Sequence, residues 1–554
     1  MFIDDQTYTT KYGKTHRRVL LRNSYRLQGK VRHDVIANLS KASSEEIDAI
    51  KWALKNKQKL SNLDQQDTHI KLKQGLSVGS TWLLMQVAKR IGLTKALGQT
   101  RQGLLSLWMV LASVIGSRSR LSSVRLAQKH AACDILNLKA FNEDDLYQAL
   151  DWLDNQQQTI EQKLFKSRYG NKKPTLYLYD VTSSYLEGEH NAYGQYGYNR
   201  DGKKGKKQIV IGLLTGEEGW PISCEVFEGN TQDPKTVYSQ VSKLAERFGV
   251  KQVTFVGDRG MVKRVQVEAL DEQGFYYITA ITKAQIQTLI REGTFQMELF
   301  EETVHEVVDG SIRYILRRNP MRAEEIGMQR ENKLGYLRAF VEGQNEYLRG
   351  HARAKVEVAL RKAMDKIKQL KVDGWVQITA KDRELCLEVD EEARVQLSKL
   401  DGCYVIKTNV AASELGTVEV HERYKDLKEV EWAFRSLKSP LLNLRGVFVR
   451  TAAHTRAHVF VAMLSYMLVY DLRRAWVELD ITVEEGIDEL SSVCAMEVFR
   501  DNQLLCQSIP KPRSSCLELL KCAGVVLPDV FPASGEKVVT RKPLPPSRKK
   551  VANN

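Results

Sequence analysis

The pattern of apolar and polar residues changes character along the chain. Residues 14–40 alternate in the manner of short strands around Asn23-Ser24 and Gln28-Gly29, which predicts a basic hairpin. Residues 80–168 instead carry apolar side chains at helical spacing, with a buried helix at 104–115 and a long amphipathic helix at 143–165. From residue 174 the order becomes strand, strand, strand, helix, strand, helix, strand. The pattern therefore predicts a helical region followed by an α/β region.

Five apolar runs mark the strands of the α/β region. They are Leu176–Asp180, 208–215, 222–227, 253–257 and 275–281. The second and third flank Gly216-Glu-Glu-Gly219, which suits a hairpin. Helices are predicted between the later strands, at 234–248 and 263–272. Three antiparallel strands followed by an α/β crossover is the order of the ribonuclease H-like fold, and this is the predicted fold class.

The α/β pattern is interrupted before it closes. Residues 285–403 hold strands at 304–316 and 375–387 and a long charged helix at roughly 325–370. Helical periodicity then resumes at 422–438 and 453–473. We predict six segments: a basic hairpin and linker (1–75), a helical DNA-binding domain (76–170), the first part of the ribonuclease H-like core (171–284), a mixed β-rich and helical insertion (285–405), the second part of the core (406–475), and a C-terminal helical region with a basic tail (476–554). The helical domain is either a helix-turn-helix-like reader of DNA or a scaffold without base contacts.

Composition narrows the class of partner. The formal net charge of +15 attracts polyanions and favours a nucleic-acid partner over a merely basic enzyme. The eight cysteines are dispersed without a C-x2-C pair, which argues against both a zinc finger and a disulfide framework. The N-terminus lacks the features of a secretory signal, and the longest apolar stretch, 459–470, is short for a membrane span. We therefore expect a cytoplasmic protein with no membrane partner.

Three acidic residues stand out against this background. Asp180 and Asp258 each end an apolar run, and Glu431 lies inside a helical stretch. A carboxylate at the end of a buried strand is costly unless a cation meets it. Two such acids and a third on a helix are what a pair of hard divalent metals requires.

The helix around Glu431 carries further chemistry. Positions 424, 427, 431, 435 and 438 are three or four residues apart and share one face. That face presents Tyr424, Leu427, Glu431, Arg435 and Lys438, so an acid for a metal would lie beside cations for phosphates. Taken alone, the same residues also fit an exposed face with a Glu431–Arg435 ion pair.

These motifs together resemble the DDE transposases of bacterial insertion sequences, in the branch with a Tyr-x2-Arg-x3-Glu-x6-Lys motif. The chain has Tyr424, Glu431 and Lys438 at the matching positions but Leu427 where that branch has arginine. The stretches 179–184, 229–233 and 257–260 also look like motifs of that family's catalytic domain, and the resemblance covers roughly 170–475. Arg435 is the candidate substitute for the missing arginine.

The resemblance implies a metal-dependent DNA strand transferase. Asp180, Asp258 and Glu431 would hold two Mg²⁺ ions, for which Mn²⁺ can substitute. Water would free a 3′-OH at each element end, and that hydroxyl would then attack target DNA. The implied partners are the terminal inverted repeats, the target duplex and a second copy of the chain in the complex that holds two ends. The alternatives are a ribonuclease H-like nuclease and a catalytically inactive DNA-binding derivative.

Other polar residues near these motifs are candidates for supporting roles. A basic loop, 198–208, is either a contact to the DNA backbone or a solvated hairpin tip, and its lysines are Lys203, Lys204, Lys206 and Lys207. Tyr424, Arg435, Lys438 and Arg259 complete the predicted DNA contacts. Asn230 and Asp233 are either groups near the metals or part of a self-bonded turn.

Three further side chains are predicted to pack rather than to bind. Trp375 could stack on an unpaired base, but a core position is favoured. His454 and His458 are one helical turn apart, yet their apolar surroundings favour packing over a zinc site.

Overall fold

The structure is a computed structural model, and its described residues form two compact units. One consists of residues 1–75 with 495–509, and the other of residues 76–494 with 510–554. The structure describes residues 1–540 except 10–14, 57–69, 117, 118, 171, 173, 189, 199, 204, 249–253, 259–274, 443, 445, 501, 531–535, 537 and 539. The predicted helix at 263–272 and the basic tail at 541–550 lie outside the described residues.

The N-terminal unit is built on an antiparallel sheet with the order β1-β2-β3. Its strands are β1 (Phe2–Thr9), β2 (Thr15–Leu27) and β3 (Lys30–Asn38), followed by helix α1 (Ser44–Lys55). The predicted hairpin is confirmed, and it turns at Gln28 and Gly29, whose φ values are 50° and 75°. Positive φ at both central residues is the geometry of a tight hairpin turn of type I′. The other predicted turn, Asn23-Ser24, is wrong because both residues lie inside β2.

In the described part of the next region, six helices follow strand β4 (Ile70–Ser77). They are α2 (Gly79–Arg90), α3 (Leu93–Leu97), α4 (Arg101–Ile115), α5 (Arg120–Ala127), α6 (Ala132–Leu136) and α7 (Glu143–Tyr169). A capping box at Asn142 and Asp145 begins α7 by satisfying free backbone amides. Helix α4 is buried from Gly103 to Val114. No single described helix is long and apolar enough to cross a membrane, and α4 with α5 reaches that length only as a pair bent by 89°.

A large sheet forms the centre of the second unit. Strands β5 (Leu176–Tyr185), β6 (Gln208–Gly216) and β7 (Pro221–Glu228) are antiparallel, and helix α8 (Asp233–Phe248) follows them. Strands β8 (Thr254–Gly257) and β9 (Tyr276–Ala280) then run parallel to β5. This is the strand order that the sequence predicts, but β5 continues five residues beyond Asp180. Asp180 therefore lies in the middle of a strand.

Part of the predicted insertion belongs to this sheet. After helix α9 (Lys283–Arg291), strands β10 (His305–Asp309) and β11 (Ile312–Arg318) form a hairpin where one strand is predicted. They join the later strand at 403–408 and extend the sheet beyond β9, so that the sheet has eight strands among the described residues. The prediction of a separate insertion at 285–405 is therefore too broad. Residues 305–318 belong to the main sheet because their backbone pairs with a segment about ninety residues later in the chain; Arg313, for example, lies opposite Thr408.

The remainder of the insertion has its own apolar cluster. It contains α10 (Pro320–Gly350), α11 (Val356–Leu370), β12 (Val376–Lys381), β13 (Glu384–Val389) and α12 (Glu391–Lys399). The single long helix predicted here is two helices. Trp375 is 5% exposed within the cluster, which confirms its predicted core position.

Most of the last part of the chain belongs to the second unit. After β14 (Cys403–Thr408) come α13 (Thr417–Lys425), α14 (Leu427–Leu437), α15 (Ala452–Ala475), α16 (Val483–Ser491) and α17 (Ser514–Cys522). Strands β15 (Cys494–Arg500) and β16 (Gln503–Ser508), which precede α17, lie almost wholly in the first unit and form a small sheet there with β4, in the order β16-β15-β4. Helix α15 packs against α4, α7 and β7. The predicted boundary at residue 170 is therefore not a division between compact units, because the helical region shares the core of the sheet.

Candidate active site

Asp180 and Asp258 are brought together by strand pairing. Tyr179 lies opposite Gly257 in the parallel pair of β5 and β8, so the next residue along each chain is an aspartate. Neighbouring strands are separated by about 4.8 Å, which places the two acids side by side at the sheet. Asp258 follows the last residue of β8 and is exposed.

Glu431 approaches the same point from helix α14. Five apolar residues bury one side of this helix, which packs against β5: Leu427, Val430, Ala433, Phe434 and Leu437. Glu431 lies on the exposed part of the helix surface and lines one cleft together with Asp258. The sequence prediction that three distant acids meet is consistent with this geometry.

The charges of the other two acids act on the pKa of Asp180. The pKa of Asp180 is raised to about 7, chiefly by burial and further by the negative charges of Asp258 and Glu431. The backbone amide of Val181 and the cation of Arg200 oppose this rise. The guanidinium of Arg200 also makes two hydrogen bonds to other groups, donating to the carbonyl of Val181 at 2.7 Å and to Asp233 at 2.5 Å. At Asp180, burial and the two neighbouring acids therefore outweigh the opposing amide and cation.

The chemistry of the donor set fits a hard divalent cation. All three side chains offer carboxylate oxygens, which are the ligands that Mg²⁺ prefers in proteins. Among the described residues, however, no three acidic, histidine or cysteine side chains are placed so that together they could hold a metal ion. The role of the three acids as joint metal ligands therefore stays a prediction.

The cleft beside the acids has a volume of about 510 Å³ and is rich in cations. Its lining includes Tyr424 and Leu427 from the predicted helix face, and four basic residues from four helices: Lys283, Arg322, Lys425 and Lys428. Each of the first three also contacts an acid, since Lys283 lies 3.5 Å from Asp401, Arg322 2.6 Å from Glu325 and Lys425 2.9 Å from Glu422. Sequence reasoning missed Lys283 and Arg322 because nothing local marks them.

The predicted helix face is divided in the structure. The stretch 424–438 is two helices that meet at Asp426, and Tyr424, Leu427 and Glu431 line the acidic cleft. Arg435 lines a different pocket, with Trp432 and Arg473. It therefore lies away from the cleft where it was expected to replace the missing arginine.

Lys438 occupies a buried ion pair. Its ammonium lies 2.9 Å from Asp201, and the two side chains are only 8% and 3% exposed. This pair joins the end of α14 to the basic loop between β5 and β6. Its predicted contact with DNA stays a prediction, because the ammonium here faces a carboxylate.

The lysines of the basic loop make local contacts. Lys203 lies over the ring of Tyr185 at 5.7 Å, and Lys207 lies over the ring of Tyr196 at 5.9 Å. Lys206 is 3.1 Å from Glu187. Lys204 lies outside the described residues, as does Arg259 beside the second acid. The roles of these residues in DNA binding stay predictions.

Two predicted supporting residues follow β7. Asp233 begins α8 and accepts the bond from Arg200, so it acts on the surroundings of Asp180 through that arginine. Asn230 is exposed in the preceding turn.

The two histidines of α15 have different surroundings. His454 lies 3.0 Å from Asp151 and its ring is tilted against Tyr147. The pKa of His458 is lowered to about 4, chiefly by burial.

Comparison with known proteins places the chain in a family. The model of the transposase DDE domain matches residues 171–468, and that of the IS1634 family transposase N-terminal domain matches residues 6–67. No curated protein matches the chain. Among solved structures, a piggyBac transposase synaptic complex with hairpin DNA is similar with a TM-score of 0.35 and 8% identity, over 80% of this chain and 76% of that one. The DDE model covers more than half of the chain and includes all three acids, and the chain therefore belongs to the DDE transposases.

Proposed function

We propose that the chain cuts DNA at the ends of an insertion element and joins the freed 3′-OH ends to target DNA. The observation that carries the proposal is the strand pairing that sets Asp180 beside Asp258, together with the cleft that Asp258 and Glu431 both line. We assign the strands β5 to β9 to a ribonuclease H-like core. The reaction acts on the terminal inverted repeats and on a target duplex, with two copies of the chain holding two ends.

The three acids would hold two divalent metal ions. Bound there, Mg²⁺, or Mn²⁺ in its place, would stabilise the attacking and leaving oxygens of an in-line displacement at phosphorus. Asp180 and Asp258 are fixed by the sheet, and Glu431 is fixed by the apolar packing of α14 on β5. Arg200, held by Val181 and Asp233, keeps the strand beside Asp180 in place.

The cations of the cleft would bind the DNA backbone next to the acids. Because Leu427 stands where the motif has arginine, this chain has one positive charge fewer at that position. Leu427 lines the same cleft as four basic residues: Lys283, Arg322, Lys425 and Lys428. We therefore propose that these residues, rather than Arg435, supply the missing phosphate contact. The lysines of the loop 198–208 would follow the backbone further from the reacting phosphate without reading bases.

Cleavage of a defined duplex tests the proposal. A labelled duplex carrying the element's terminal inverted repeat, incubated with the protein and Mg²⁺, should be nicked at the repeat's end. Glu431→Gln should lower the rate by at least about 100-fold, as expected when a group acting on the transition state is removed. Glu429→Gln is the matched control, because it makes the same change two residues away on α14 and its residue does not line the cleft.

The same assay separates the alternatives. Cutting of a shuffled duplex at the same rate would favour a plain nuclease. Binding without cutting in Mg²⁺ and in Mn²⁺ would favour an inactive DNA-binding derivative. Equal rates for Glu431→Gln and the wild type would show that the third acid is wrongly assigned.

A further inference from the structure

One part of the N-terminal sheet extends beyond the rest. Strand β1 pairs with β2 only as far as Arg22, so β2 and β3 continue as a two-stranded ribbon. We call this segment, Asn23–Asp34, the N-terminal ribbon. It contains five residue pairs, from Asn23 opposite Asp34 to Leu27 opposite Lys30. At 3.4 Å per residue, it is roughly 17 Å long.

The N-terminal ribbon is exposed on both faces. Every residue from 23 to 34 is exposed, including Tyr25 (37%), Leu27 (48%) and Val31 (55%). A two-stranded hairpin is marginally stable in water when nothing covers it. Tyr25 and Leu27 lie on one face and Val31 on the other, so both faces present an apolar side chain to solvent.

The register of the ribbon is nevertheless well specified. The tight turn at Gln28 and Gly29 fixes which residues face each other. Two side-chain hydrogen bonds cross the strands, with Tyr25 donating to Asp34 at 3.2 Å and Ser24 bonded to His33 at 2.9 Å. The side chains of the ribbon are therefore presented in a fixed order before any partner binds.

The charge of the ribbon indicates the kind of partner. It carries three cations, Arg26, Lys30 and Arg32, and one carboxylate, Asp34, which gives a net charge of +2 in twelve residues. Strand alternation puts Arg26 on one face with Ser24, Val31 and His33. Lys30 and Arg32 are on the other face. Cations on both faces suit a polyanion that surrounds the ribbon better than one that touches a single side.

We propose that the N-terminal ribbon inserts into the major groove of duplex DNA and reads part of the terminal repeat. The inference rests on the proposed function, since it supplies that reaction with its means of finding the element end. The major groove, about 12 Å wide, admits a two-stranded ribbon, whereas the minor groove is about 6 Å wide. Arg26 and Arg32 suit guanine edges or phosphates, and Val31 suits a thymine methyl group.

The proposal gives the reading of bases to the N-terminal ribbon, whereas the sequence predicts a DNA-binding domain at 76–170. The most apolar helix there, α4, is buried along nearly its whole length and packs against α7 and α15. It has no free face for base edges. The ribbon, in contrast, is fully exposed and basic.

Binding measured without metal tests the ribbon separately from catalysis. The full chain is titrated in EDTA against fluorescent duplexes, one with the terminal repeat and one shuffled, and anisotropy is recorded at several salt concentrations. The triple variant Arg26→Ala, Lys30→Ala, Arg32→Ala should bind the repeat about 100-fold more weakly. The slope of log K against log salt should become shallower by about 2 to 3, because three phosphate-neutralising cations are lost.

Two further variants make the result specific. Arg361→Ala, Lys362→Ala, Lys368→Ala removes the same charge from exposed positions of α11 and should change affinity by less than about 3-fold. Arg26→Lys, Arg32→Lys keeps the charge, so the salt slope should stay while the preference for the repeat over the shuffled duplex falls. This variant keeps the proposal testable if the triple variant folds poorly.

The possible failures are distinct. If the wild type binds and cuts the repeat but the ribbon variants bind equally well, the ribbon proposal is wrong and the proposed function stands. If the wild type binds no DNA at all, both are wrong. If the triple variant changes only the oligomeric state in sedimentation, the ribbon joins two copies of the chain instead.

Discussion

Replacing Lys438 by methionine tests whether the buried pair with Asp201 is a structural connection. The substitution keeps the length and apolar stem of the side chain but removes the charge that lies 2.9 Å from the carboxylate. Asp201 is 3% exposed, so its charge would remain in a site with little water. Breaking a buried pair by removing one partner costs about 3–5 kcal/mol.

Both residues belong to the second unit, where the pair connects α14 to the loop between β5 and β6. Lys438→Met should therefore destabilise the second unit by about 3–5 kcal/mol.

Thermal unfolding of the wild type and the variants checks this reasoning. Lys438→Met should unfold at a clearly lower temperature than the wild type. The double variant Lys438→Met, Asp201→Asn removes both charges and should recover most of the lost stability. The reasoning is refuted if the single variant unfolds at the wild-type temperature, or if the double variant is no more stable than the single one.

The same variants separate two roles for Lys438. If its role is to join α14 to the basic loop, the double variant should cut DNA at a rate close to that of the wild type. If Lys438 contacts a phosphate, as the motif suggests, the double variant should remain defective although it is stable.

Three other results are expected. In a steady-state cleavage assay, Arg322→Ala should raise the KM for repeat DNA about 10-fold because it removes a cation from the cleft. Adding Leu427→Arg should restore the wild-type KM, and failure to restore it would contradict the proposed compensation. In thermal unfolding, Glu161→Leu should lower stability by about 3–5 kcal/mol, because Glu161 is fully buried 2.5 Å from Arg247. Glu478 is exposed, so the control Glu478→Leu should change stability by less than about 0.5 kcal/mol. Mg²⁺ should raise the melting temperature of the wild type more than that of Glu431→Gln, since ligand binding to the folded state stabilises it; equal shifts would argue against Glu431 as a ligand.

Local pattern was enough to predict the centre of the fold. Strands β5 to β9 are short apolar runs separated by polar turns, and each run is readable within its own ten residues. Asp180 and Asp258 could be identified as candidate catalytic acids because a charged residue in or beside such a run is unusual. Glu431 could be selected because helical spacing placed it with Tyr424 and Lys438. Trp375 was predicted correctly from its apolar setting.

Only the tertiary structure decided how distant segments meet. Whether β10, β11 and β14 join the main sheet depends on backbone pairing with β9, which no local pattern encodes. Burial of Lys438 depends on Asp201, far away in the chain, and the cleft cations come from separate elements. The basic hairpin was readable from its alternation, but its exposure on both faces was not, because exposure is set by what fails to pack against it. Sequence thus determined which segments are strands or helices and which acids are unusual. Long-range packing decided which charged side chains are buried in ion pairs and which line the cleft or the surface.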